Sequence, residues 1–163
     1  MSVTPANFHD LYQRYSRDVY RFALYLSGNG AWAEDIAAEA FLRIWASPAP
    51  THLATVKNYL FAIVRNLHAE NWRRSRREAS LPDDLAGGGS AAEVERAADG
   101  KAELQRVMFA LQRIDAVERA ALLLRGEHGL PYEEIARILE ITPGAARVKV
   151  HRARQALMPA RRG

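Results

Sequence analysis

The richest chemistry in this chain lies near its C-terminal end. From Pro143 to Gly163 there are six cations, Arg147, Lys149, Arg152, Arg154, Arg161 and Arg162, and no acid. If Thr142-Pro143 caps and opens a helix, Ala146, Val150, Ala153 and Leu157 fall on one buried stripe. Arg147, Val148, His151 and Arg152 then face outward, with Lys149 and Arg154 on the flanks. An arginine fork matches guanine O6 and N7 or a phosphate, and valine suits a thymine methyl, so this face fits a duplex major groove. Tyr132 to Leu139 reads as a short preceding helix, with Glu140 and Ile141 as the turn, which makes the pair a helix-turn-helix.

Between Val56 and Glu78 six more cations stand against Glu70 and Glu78. Here Tyr59, Phe61 and Trp72 are interleaved with Lys57, Arg65, Asn66, Asn71, Arg73 and Arg74. Cations hold a backbone, aromatics stack on exposed bases and amides read base edges, so this mixture suits unpaired nucleic acid. The plainer alternative makes Tyr59 and Phe61 core residues and Trp72 half-buried packing. A third segment, Ala33 to Trp45, mixes acids with large apolar residues. Asp35, Glu39, Leu42 and Arg43 could form a mixed protein-binding face there, or simply the solvated side of a bundle helix.

The elements that position these residues read as helices throughout. Phe8, Leu11, Tyr12, Tyr15, Val19 and Phe22 recur at helical steps, as do Ile36, Ala40, Phe41 and Ile44, and again Val56, Leu60, Ile63, Val64 and Leu67. Ser27 to Gly30 and Ser47 to Pro50 supply breaks. Leu104, Val107, Met108, Leu111 and Ile114 begin a second unit, and Asp115 with Glu118 marks another helix start. Gly126 and Gly129 bracket a turn. The expected fold is all-α: two small helical domains, at 1–78 and 101–163, the second carrying the helix-turn-helix. Residues 79–100 hold Gly87-Gly88-Gly89-Ser90 and read as a flexible linker, long enough to let the units reach separate places on one partner.

The totals agree with this division. The 163 residues are 48% hydrophobic and 26% charged, with a formal net charge of +4 and a pI near 9.7. Ala79 to Thr142 holds twelve acids against seven bases, so two basic segments flank an acidic one, as two contacts with a polyanion would require. The chain has no cysteine, which excludes disulfides, thiolate catalysis and a cysteine zinc site. No metal or other cofactor is expected. No apolar run reaches the ~20 residues of a membrane span, and no secretory signal opens the chain, so direct membrane insertion is not expected.

In this order the three segments resemble the extracytoplasmic-function (ECF, group IV) sigma factors of the sigma-70 family. Ala33 to Trp45 is similar to that group's "AEDIxQExFLRxW" pattern. Asn58 to Leu67 with Trp72-Arg73-Arg74 is similar to "xYLxxIARNLxxDxxRR", and Tyr132 to Leu157 to "YEEIAxxLGxxxGTVKSRxxRARxxL". The resemblance covers the chain outside the linker. Ala38, Glu70, Glu140, Ala145 and Val148 depart from the common glutamine, aspartate, glycine, threonine and serine. The last two bear on which promoter sequence is read, and Glu140 on the backbone path of the turn.

The resemblance implies a cytoplasmic RNA polymerase sigma factor that directs promoter-specific initiation, in a stress or envelope response, and is not an enzyme. Asp35, Glu39, Phe41, Leu42 and Trp45 would form or support the surface docking on core RNA polymerase. Lys57, Tyr59, Arg65, Asn66, Asn71, Trp72, Arg73 and Arg74 would melt the minus-ten element and hold its single strand. Arg147, Val148, Lys149, His151 and Arg152 would read the minus-thirty-five duplex, with Arg154 on phosphates. The implied partners are core polymerase, promoter DNA and an anti-sigma factor, which would place the inactive form near the membrane if that factor is membrane-linked and the active form on the nucleoid. The chain's end at Gly163 sets the expectation of no appended regulatory module. A stand-alone helix-turn-helix regulator is the rival reading. A helical enzyme is a second, but Glu39, Glu133 and Glu134 sit in structural contexts and no phosphate loop or catalytic triad accompanies them.

Overall fold

The computed structural model describes residues 5–46, 55–78 and 102–162, and among them it contains seven helices and no strand. The first unit is a three-helix bundle of α1 (Pro5–Ser27), α2 (Gly30–Ala46) and α3 (Val56–Glu78). The second contains α4 (Ala102–Gln112), α5 (Ala116–Gly126), α6 (Tyr132–Leu139) and α7 (Pro143–Arg162). The expected break at Ser47 to Pro50 and the expected linker at 79–100 lie outside the described residues.

Local chemistry sets the helix ends. Asn29 Oδ1 accepts the Trp32 amide at 3.0 Å and opens α2. Thr55 Oγ1 does the same for the Asn58 amide at 3.1 Å, and Asp115 takes the amides of Val117 and Glu118 at 3.1 and 3.3 Å. Thr142 Oγ1 caps α7 by accepting from Ala145 N at 3.0 Å. These oxygens satisfy donors that the first helical turn leaves without partners.

The turn inside the helix-turn-helix is closed by a left-handed Glu140, φ 58° and ψ 48°, and Ile141 N donates back to Ala136 O at 3.0 Å. Among the described residues Glu140 is the only non-glycine with positive φ. A Cβ is penalised in this conformation, so Glu140→Gly is expected to raise stability by about 0.5 kcal/mol, read as a higher urea midpoint.

Packing follows the apolar stripes. Val19, Phe22, Leu26, Ile36, Phe41, Ile44, Leu60, Phe61, Val64 and Leu67 are buried in the first unit, and Leu111, Leu124, Ile135, Ile138, Leu139, Ala146, Val150 and Ala153 in the second. A linker of this composition lets two units stand apart or pack together, and these residues belong to one continuous buried cluster. Helix α1 contacts α4 and α5, and α3 contacts α6.

Buried polar groups secure the junction. Arg119 on α5 is 7% exposed. Its guanidinium donates to Leu111 O (2.8 Å) and Ile114 O (3.0 Å) in its own unit and to Leu26 O at the end of α1. A charge held in apolar surroundings persists only when its donors are engaged, and three carbonyls engage this one. Gln112 Nε2 donates to Tyr25 O at 2.8 Å. Gly28, at φ +70°, leaves room for that side chain, since a Cβ there would come within 2.7 Å of the Gln112 Cδ.

Candidate nucleic-acid and protein-binding surfaces

Helix α7 presents the face expected of it. Ala146, Val150 and Ala153 are fully buried and Leu157 is partly buried. Arg147, Val148, His151, Arg152 and Arg154 are exposed, and Lys149 is half-buried. Tyr132 at the start of α6 lies between two guanidiniums, with Arg125 at 4.4 Å and Arg147 at 5.0 Å from its ring centroid. Cation–π contact thus parks Arg147 against the preceding helix rather than leaving it free in solvent. The side chains of Arg161 and Arg162 lie outside the described residues.

Helix α3 divides its expected site residues between two ends. Trp72 is 48% exposed, with the Arg76 guanidinium 4.9 Å from its ring centroid. Asn66, Arg73 and Arg74 are exposed, Arg65 and Asn71 half-buried. At about 100° per residue Tyr59, Asn66 and Arg73 share one line, with Arg65 and Trp72 on the neighbouring one. Asn71 turns toward the bundle side and Arg74, although exposed, lies off both lines, so the eight residues do not form a single face.

At the other end of α3, about 22 Å from Trp72 along the axis, Lys57 pairs with Asp18 at 3.2 Å and stands 5.6 Å from the Phe61 ring centroid. Tyr59 packs partly buried against the core, and Phe61 is wholly buried. The plainer alternative therefore describes Phe61 fully and Tyr59 in part. Arg65 Nη1 donates to Asn66 Oδ1 at 3.2 Å, which holds that amide beside a cation.

Helix α2 shows an amphipathic outer face. Leu42 is 60% and Trp45 46% exposed, while Asp35 and Glu39 face solvent and Arg43 bridges Glu39 at 3.2 Å. Phe41 is buried, so it can only support that surface from beneath. Its ring meets Tyr12 at 5.0 Å and Phe8 at 6.2 Å, and Phe8 in turn meets Trp45 edge-on at 4.9 Å. A groove lined by Phe8, Tyr12, Phe41 and Leu42 runs between α1 and α2. Among the described residues no three acids, histidines or cysteines gather as a metal-binding group, and no helix is long and apolar enough to cross a membrane.

Sequence reasoning missed the residues where the units meet. Asn58 is 2% exposed and donates through Nδ2 to Glu134 Oε1 on α6. Arg21 Nε and Nη2 donate to Glu127 Oε1 and Oε2 at 2.8 and 3.2 Å. His128 lies 4.6 Å from the Phe61 ring and 6.0 Å from that of Phe22, and its buried Nε2 has no hydrogen-bond partner among the described residues. One signal was available. Arg119 and His68 each occupy an apolar stripe position, one turn from Leu123 and Val64 respectively, where a merely solvated residue would not be placed.

His68 gives the fold a pH dependence. Burial, reinforced by the charges of Arg119 and Arg65, lowers its imidazole to about 4 from 6.5. Burial also lowers that of His128. The fold accepts the neutral forms, so the His68 contribution is complete above 6.5 and is lost as pH falls toward 4, and that of His128 is lost in the same direction. Between about pH 7.5 and pH 5 the protein should lose about 2 kcal/mol through His68, measurable by urea unfolding. A variant carrying His68→Gln and His128→Gln should show a much flatter profile over that interval.

The comparisons with known proteins follow the same division. The sigma-70 region 2 family matches residues 11–78 and the sigma-70 region 4 family residues 104–157. The chain is 30% identical over 149 residues to the ECF RNA polymerase sigma factor SigM of Bacillus subtilis, covering 91% of each. It is 32% identical over 157 residues to the ECF RNA polymerase sigma factor SigE of Mycolicibacterium smegmatis, covering 93% of this chain and 60% of that relative. Among solved structures it is similar to the sigma factor RpoE in complex with the anti-sigma factor NepR from Bartonella quintana. The TM-score is 0.77 and the identity 25%, over 94% of this chain and 96% of that one. With its two helical units matched in order, the chain belongs to the extracytoplasmic-function sigma factors of the sigma-70 family.

Proposed function

We propose that this sigma factor joins core RNA polymerase and directs it to a promoter, catalysing no reaction of its own. Helix α2 docks on the polymerase through Asp35, Glu39, Leu42 and Trp45, with Phe41 bracing them. Helix α3 opens the minus-ten element and holds its displaced strand through Asn66, Trp72, Arg73 and their neighbours. Helix α7 reads the minus-thirty-five duplex through Arg147, Val148, His151 and Arg152. The domain limits proposed for these tasks are 1–78 and 101–163. The protein works in the cytoplasm, in a stress or envelope response, and an anti-sigma factor holds it inactive.

One observation carries the reading: the chain exposes two cationic faces of different chemistry. The face on α7 has no acid and suits a groove, whereas α3 ends in an exposed tryptophan among arginines and suits unstacked bases. A binder of duplex alone has no use for the second.

Run-off transcription with bacterial core polymerase tests this, using a pool of upstream sequences as template. Discrete transcripts that require the protein are the expected result. Failure to bind core polymerase, together with tight binding of duplex DNA by the protein alone, would make it a stand-alone regulator instead.

A further inference from the structure

Arg65 and Asn66 are neighbours on α3 and already hold each other. Arg65 Nη1 donates to Asn66 Oδ1 at 3.2 Å, the arginine half-buried and the asparagine exposed. The direction of this bond is informative. A guanidinium has donors only, so the amide atom it meets is the oxygen, and the orientation of the amide follows from chemistry. The amine of Asn66 is therefore the end left for a partner. Trp72 lies six residues further on, about 9 Å along the axis, so the amide and the indole serve different bases.

An asparagine with both amide ends free pairs with adenine, whose N7 accepts and whose N6 donates. A cation held at Oδ1 fixes the plane of the amide and disfavours a second donor at that oxygen. What remains is a pair of donors. Adjacent acceptors match it, such as O6 and N7 of guanine or O2 and N3 of an unpaired cytosine.

We propose that Arg65 is a positioning residue that sets base specificity: by holding the Asn66 oxygen, it makes Asn66 select guanine or cytosine in the opened strand and reject adenine. The proposal rests on the reading of α3 as the strand-binding helix. It gives Arg65 a task unlike that of Arg73, which meets the backbone of the strand. Half-burial suits that task, since a guanidinium with a packed stem loses less freedom when it holds one partner.

The test is binding by the polymerase complex, reconstituted with the full chain, on a promoter recovered by run-off transcription. Its minus-ten region is offered as displaced single strand, with each position carrying each base in turn. Asn66→Ala should flatten the preference at one position, where the wild-type chain disfavours adenine. Arg65→Met should raise adenine there about fivefold relative to guanine or cytosine, the worth of one hydrogen bond. Arg73→Ala should instead weaken every sequence alike and lower the salt slope by about 1. Each preference is a ratio among bound fragments, so a variant that folds less completely still reports it.

An adenine preference of the wild-type chain at that position would overturn the assignment. So would an unchanged preference in Arg65→Met, uniform weakening with a lower salt slope in that variant, or an Asn66→Ala variant that flattens no position. Trp72→Ala then separates the two claims. If it weakens strand binding, the reading of α3 stands and the role of Arg65 alone falls. If it changes nothing, both fall.

Discussion

Replacing Arg119 with methionine should cost about 3 kcal/mol of stability, one of the two largest effects anticipated for a single change in this chain. Methionine keeps most of the stem and its packing but removes every donor. The carbonyls of Leu111, Ile114 and Leu26 then lose the guanidinium that serves them all. Each orphaned carbonyl costs roughly 1–3 kcal/mol, and relief of the buried charge offsets part of the sum. Burial already lowers the pKa of this guanidinium, which shows the strain of keeping it charged there. Lysine is expected to rescue little, because one ammonium cannot span three acceptors set around a planar fork. Urea unfolding at neutral pH measures the loss, and a decrease below about 1 kcal/mol would mean that water replaces the guanidinium at little cost.

Arg147→Ala carries the other large effect. A bidentate arginine contact to a base is worth about 1–3 kcal/mol, so binding to a promoter that contains its upstream element should weaken about 10- to 100-fold. Leaving its resting contact on Tyr132 costs Arg147 only a cation–π interaction, small beside a desolvated fork on guanine. Trp72→Ala should differ in kind. It removes a stacking surface worth about 1–3 kcal/mol for an unpaired base and leaves duplex affinity within about twofold. Band-shift titration of the polymerase complex on duplex promoter, alongside permanganate footprinting of the opened strand, separates the two. Equal losses of duplex affinity in both variants would contradict the division of labour between α3 and α7.

The sequence told most where one period governed one helix. In α7 the threonine cap, the proline after it and the spacing of Ala146, Val150 and Ala153 all fix the same rotation, so its outward residues could be named correctly. Helix α3 was legible at its free end and less so at its start. Lys57 and Tyr59 have the right types for DNA, but their neighbours, Asp18 and the core, come from another helix that no local pattern reveals. Phe41 was the simpler case, since it falls on the apolar stripe with Ile36, Ala40 and Ile44 and faces inward with them. The junction between the units was missed because its contacts are polar and distant along the chain. Arg119 reaches a carbonyl 93 positions away, and Asn58 meets an acid 76 positions away. The glycine-rich stretch between the units reads as a flexible linker, and a linker sets how far domains can move apart and not whether they do.

The buried cluster that runs without interruption through both units bears on how the molecule melts. Two domains that share no core unfold as two transitions, each with its own enthalpy. Domains that share one behave as a single cooperative unit, whose calorimetric and van't Hoff enthalpies agree. Hydrogen exchange should then protect α1 and α5 to the same level, because neither can open without breaking the packing of the other. Any ligand that draws the units apart would divide one sharp melt into two broader ones, even where it leaves every helix intact.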